Sequence, residues 1–70
     1  MISLMSVQDK KRVGFFRSYV SIGEWLASNG KTGTYYAIPR NLRSIAAMKE
    51  IHVVEFEDGE REIEMEGSHY

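Results

Sequence analysis

The chain contains no cysteine and only one proline. Without thiols it can have no disulfide framework and no thiolate-bound metal. The single proline, Pro39, stands alone, and no Gly/Ser-rich run divides the 70 residues, so one small domain over 1–70 with mobile ends is expected. No apolar run approaches the roughly 18 residues of a membrane span. The opening MISLMSVQDKKR has too short an apolar stretch before its basic cluster for a secretory signal. A cytoplasmic protein without a membrane is the expectation. Histidine is scarce: there is only His52, at the edge of a strand-like run, and His69, near the end. Glycine-rich phosphate loops, nucleophile elbows and H-E-x-x-H are all missing. We therefore expect no enzyme and no cofactor. We also expect no metal site, because the carboxylates follow no calcium-loop pattern.

What is present is a polarised charge pattern. Residues 1–49 carry eight cations (Lys10, Lys11, Arg12, Arg17, Lys31, Arg40, Arg43, Lys49) against Asp9 and Glu24, a balance of +6. Residues 50–70 carry eight acids against Arg61 alone, a balance of −7. Such asymmetry points to separate electrostatic roles for the two segments, or to attraction between them within the fold.

The apolar pattern predicts an α+β domain, a small antiparallel sheet with one or two short helices. The clearest element is a C-terminal hairpin, 51–57 paired with 60–66 around Asp58-Gly59. Asp-Gly suits a two-residue turn with positive φ at both positions. That turn pairs Val54 with Ile63 and faces Val54, Phe56, Ile63 and Met65 toward the core. Glu55, Glu57, Glu60, Glu62, Glu64 and Glu66 then share the other face. There Glu55 opposes Glu62 and Glu57 opposes Glu60, each like-charge pair costing a few tenths of a kcal/mol.

Ser21 with Glu24 reads as a capping box and Asn29-Gly30 as a left-handed stop, which predicts a helix over about 22–28. Ile22, Trp25 and Leu26 would form its buried stripe. TYYAI is rich in strand formers and ends at Pro39, after which a second helix over about 40–49 is expected. Residues 7–20 fit two patterns. Val13, Phe16 and Val20 have helical spacing, yet VGFFRSYV is also a good strand, and a strand over 13–20 is preferred. Phe15, Phe16, Trp25 and most tyrosines are expected in the core, with one of Tyr35 and Tyr36 facing outward. So small a core leaves room for stabilisation by a partner or by a homodimer.

The stretch E-W-L-A-S-N-G, T-Y-Y, R-N-L-R resembles the helix-turn-helix of insertion-sequence transposase accessory proteins. It matches at Glu24, Trp25, Asn29, Gly30, Thr34, Tyr35, Tyr36, Arg40, Leu42 and Arg43. The resemblance covers about a third of the chain and implies a recognition helix over 34–43 in a DNA major groove. Pro39 falls mid-way along that segment, where it costs a helix about 3 kcal/mol.

Two functions follow from the residues. The first is a small non-enzymatic regulatory protein that binds DNA or RNA through its basic N-terminal two-thirds. Lys10, Lys11, Arg12, Arg17, Arg40 and Arg43 would meet phosphates, and Tyr35 or Tyr36 would stack on a base. The alternative is an inhibitor of phage or plasmid accessory type. Its acidic hairpin (Glu55, Glu57, Glu60, Glu62, Glu64, Glu66) would mimic nucleic acid or dock on a basic protein.

Overall fold

The computed structural model describes residues 1–40 and 48–67, the last two by backbone alone. Five strands and one helix follow in the order β1 (Ile2–Ser6), β2 (Lys11–Phe16), α1 (Tyr19–Asn29), β3 (Gly33–Pro39), β4 (Lys49–Glu55) and β5 (Arg61–Gly67). The strands form one sheet in the order β2-β1-β3-β4-β5, with every neighbouring pair antiparallel. β2 and β3 both oppose β1 and so run parallel to each other. Their link must cross the sheet, and α1 is that crossover.

The sequence of β1, ISLMS, alternates strictly. Ile2, Leu4 and Ser6 are buried under the helix, and Ser3 and Met5 point the other way. Ser6 is buried but satisfied, its hydroxyl bonded to Asp9 Oδ2 (3.2 Å) and to the Asp9 N–H (3.3 Å). A bulge in β2 sets two residues against the Leu4/Met5 step. It turns Val13 onto the core and leaves Arg12 and Phe15 together on the opposite face. The core holds Leu4, Ile22, Leu26, Ile51 and Val53, all essentially without exposure, with Tyr35 and Ala37 beside them. Each large apolar side chain buried this way contributes about 1.5–3 kcal/mol.

The helix begins earlier than its sequence predicts. Ser18, not Ser21, is the N-cap: its hydroxyl accepts from the Ser21 N–H at 3.2 Å, so Tyr19, Val20 and Ser21 are already helical. The strand expected over 13–20 is consequently shorter and shifted, and Val20 is an exposed helical residue. The expected stripe is present, with Ile22 and Leu26 buried and Trp25 edge-on to Phe16 of β2 at 6.0 Å. The left-handed stop is not. Gly30 has φ −68°, and its N–H returns to the Leu26 carbonyl at 2.7 Å. Glycine is needed there for space, because a Cβ would lie 2.6 Å from that same oxygen. TYYAI is β3, and Pro39 is its last residue. Thr34, Tyr35 and Tyr36 therefore lie in a strand. Of the helix expected over 40–49, 41–47 lie outside the described residues and Lys49 opens β4.

The hairpin is present, but its register differs by one residue. The loop has three residues, Glu57, Asp58 and Gly59. The Gly59 N–H donates to the Phe56 carbonyl (3.0 Å) and the Phe56 N–H to the Glu60 carbonyl (2.8 Å). Only Gly59 has positive φ (+89°), while Asp58 Oδ1 accepts from the Glu60 N–H at 3.0 Å. A turn followed by one left-handed residue is the standard three-residue solution. It pairs Val53 with Ile63, Ile51 with Met65, and Glu55 with Arg61. Ile51, Val53, Ile63 and Met65 face the helix, whereas Val54 and Phe56, expected inside, are exposed. The two-residue turn would leave Ile51 and Val53 outside and set Glu55 against Glu62. The observed register replaces that repulsion with an ion pair, Arg61 Nη2 to Glu55 Oε2 at 3.0 Å.

Arg61 also closes the helix. Its Nε donates to the Gly30 carbonyl (2.6 Å) and its Nη1 to the Ala27 carbonyl (3.0 Å). α1 has no basic residue of its own in its last turn. A cation brought from β5 thus meets the carbonyl end of the helix dipole. Replacing Arg61 by Ala should lower unfolding free energy by about 2 kcal/mol in a urea titration, since charged hydrogen bonds are lost and carbonyls left open. Arg61→Lys should recover only part, because one ammonium cannot span both carbonyls and Glu55. A wild-type midpoint in Arg61→Ala would contradict this role.

Candidate nucleic-acid interface

α1 packs on one face of the sheet. Among the described residues, no helix covers the other. Alternation places on that open face Arg12 and Phe15 from β2, Ser3 and Met5 from β1, Thr34, Tyr36 and Ile38 from β3, Glu50, His52 and Val54 from β4, and Glu62 and Glu64 from β5. The two edge strands therefore carry opposite charge.

At the β2 side, Phe15 is 55% exposed and Arg12 lies over its ring, 4.8 Å from guanidinium carbon to centroid. Met1, Ser3, Phe15, Ile38 and Arg40 line an adjoining open cleft of about 410 Å³. Arg40 is held at its mouth by its own N–H, which donates to the Met1 carbonyl at 3.1 Å. A guanidinium, an exposed ring and a second guanidinium thus lie along one track. Such a set stacks planar groups on the ring or the guanidinium plane and neutralises the charges between them.

The remaining predicted cations scatter around this track. Lys10 and Lys11 sit in and after the β1–β2 turn, next to Arg12, with Lys10 at φ +55°. Arg17 follows β2 at the opposite end, near the Arg40 end of the sheet. Arg43 lies outside the described residues. Tyr35 is not available for stacking: it is 3% exposed, and its hydroxyl is tied to the Lys31 backbone. Tyr36 is the outward member of the pair. Phe15 was assigned to the core by its hydrophobicity. The signal against that assignment is the Phe15-Phe16 doublet in a strand, where neighbours must face opposite ways.

The acidic set is divided by the register. Glu55 turns to the helix side and pairs with Arg61, Glu57 lies in the hairpin loop, and Glu60 closes it against Phe56. Glu62 and Glu64 remain on the open face. The Glu66 side chain lies outside the described residues. No group of three metal-ligating side chains occurs among the described residues.

At the sheet centre, cross-strand pairs Thr34/His52 and Tyr36/Glu50 form a polar square. The Tyr36 hydroxyl donates to Glu50 Oε1 (2.9 Å), and His52 Nε2 lies 2.7 Å from Glu50 Oε2. His52 Nδ1 lies 3.4 Å from Thr34 Oγ1. The connectivity is hydroxyl–imidazole–carboxylate, but acyl transfer also needs donors for an oxyanion. The Thr34 N–H is already given to Gln8 Oε1 at 2.9 Å. The square orders the centre of the face.

Its electrostatics are testable. The hydrogen bond to Glu50, then the charge of Glu50, holds the Tyr36 phenol above its ordinary value of 10.0. Hydrogen bonds from Tyr36, then from His52, hold the Glu50 carboxyl below its ordinary 4.5. A depressed carboxyl stabilises the fold fully above its unfolded value, and that contribution drains as pH falls through the folded value. In a spectroscopic titration Tyr36 should ionise above the usual phenol range and drop back toward it in Glu50→Gln. A Tyr36 titration unchanged by that substitution would contradict the network.

No helix among the described residues is long and apolar enough to cross a membrane. Comparison with protein-family models, curated protein sequences and solved structures yields no match for this chain.

Proposed function

We propose that this chain is a non-catalytic nucleic-acid-binding protein that holds a single strand on the β2 side of its open sheet face. The observation that carries this is Phe15, an exposed ring with Arg12 over it and Arg40 sharing its cleft. Every base offers a π-face, so such a platform accepts single strands with little sequence preference, while the arginines meet phosphates. The helix favours this reading over duplex recognition by α1. It contains neither Lys nor Arg; its exposed residues are Val20, Glu24, Ala27, Ser28 and Asn29, and the one amide among them, Asn29, is bonded back to the Trp25 carbonyl. A helix that enters a major groove needs cations or amides facing the DNA.

The test is fluorescence anisotropy with a labelled oligothymidylate at low salt. Wild type should bind, and affinity should fall with salt at about 0.7 log unit per log unit of salt for each phosphate contacted. Phe15→Ala should weaken binding roughly 5- to 150-fold, the loss of one stacked base at ~1–3 kcal/mol. An exposed ring contributes little to the fold, so circular dichroism should be unchanged. Absence of binding at low salt, or equal affinity in Phe15→Ala, would overturn the proposal.

A further inference from the structure

Arg12 stands between two sites. Its guanidinium lies over Phe15 on the open face, while the residue also borders a second cleft, of about 400 Å³, on the helix side of the same edge strand. Lys11 and Lys31 stand on the rim of that cleft, and Trp25 and Asn29 form its helical wall. Tyr35 lies beneath them. Its hydroxyl accepts from the Lys31 N–H (3.1 Å) and donates to the Lys31 carbonyl (3.2 Å), which fixes the backbone that carries the Lys31 cation. Asn29 Nδ2 is bonded to the Trp25 carbonyl at 3.2 Å, so its amide is oriented. The one rim carboxylate, Asp9, is bonded to Ser6 Oγ at 3.2 Å.

We infer that this cleft is a second nucleotide subsite, which takes the nucleotide adjoining the one stacked on Phe15 as the strand passes over the β2 edge. The inference rests on the single-strand reading above and extends it to the other side of the sheet. Among the described residues β2 is the outermost strand, and none of them forms a strand across that passage. Arg12 is common to both sites and holds the phosphate between them. Lys11 and Lys31 hold the next phosphate, and the base lies against the indole of Trp25. Two lysines beside one aromatic wall, with Arg12 at the shared edge, fit an anion joined to a planar ring, which is the chemistry of a nucleotide.

Trp25 is the only tryptophan, so its emission reads this cleft directly. A dT12 oligonucleotide should quench it with the same midpoint as the anisotropy change. A Lys11→Glu, Lys31→Glu double variant should lose the quench and bind roughly tenfold more weakly, with a salt slope lower by about 1.4 for two lost contacts. It should still bind in a Phe15-dependent way. Binding that requires Phe15 but leaves Trp25 emission unmoved would overturn the subsite and preserve the platform, as would a quench that survives the double variant. No anisotropy change at low salt would overturn both.

Discussion

The carbonyl end of a helix carries partial negative charge and unpaired oxygens, and α1 supplies no cation of its own to meet them. Arg61 supplies one from the first residue of β5, donating to the carbonyls of Ala27 and Gly30 while pairing with Glu55 across the hairpin. Three constraints meet in that guanidinium. It ties the far end of the chain to the end of the helix. It requires Arg61 and Glu55 on the helix side, and so fixes which residues of β4 and β5 face the core. By the same alternation it assigns His52, Val54, Glu62 and Glu64 to the open face.

The open face is thereby given a polarity that the net charge of −1 conceals. Cations and an exposed ring lie toward β2, carboxylates toward β5, and the Tyr36–Glu50–His52 network between them. In the proposed function the two halves cooperate. The field of Glu62 and Glu64 repels a polyanion from the β5 side and confines it to the β2 side, where Arg12 meets it. Acidic residues on the edge also discourage strand-to-strand aggregation. The bulge at Val13 matters as much as any charge, because it sets Arg12 beside Phe15 and so creates the platform.

Much of this was legible in the residues. The α+β class, the strand at TYYAI ended by Pro39, the Ile22/Trp25/Leu26 stripe and the hairpin around Gly59 all follow from local pattern. Three features did not, each for a physical reason. Ser18 and Ser21 are both competent caps, and only the path of the chain out of β2 selects Ser18. An Asp-Gly pair fits either a two- or a three-residue loop, and only long-range contacts tell them apart: the burial of Ile51 and Val53 under the helix and the Glu55–Arg61 pair. β1, only five residues long, was not anticipated at all, although its Ile2/Leu4/Ser6 alternation is clean in hindsight. At the site, Arg12 and Arg40 were legible as cations. Phe15 was hidden because hydrophobicity alone does not say which of two adjacent phenylalanines faces outward, and for the same reason the residues left open which of Tyr35 and Tyr36 does.

Every later step depends on the pairing of β4 with β5, and cross-strand proton contacts measured by NMR test it most directly. The account predicts backbone contacts between Val53 and Ile63 and between Ile51 and Met65. Contacts joining Val54 to Ile63 and His52 to Met65 would contradict it. They would part Arg61 from Glu55 and return the carboxylates to one continuous face.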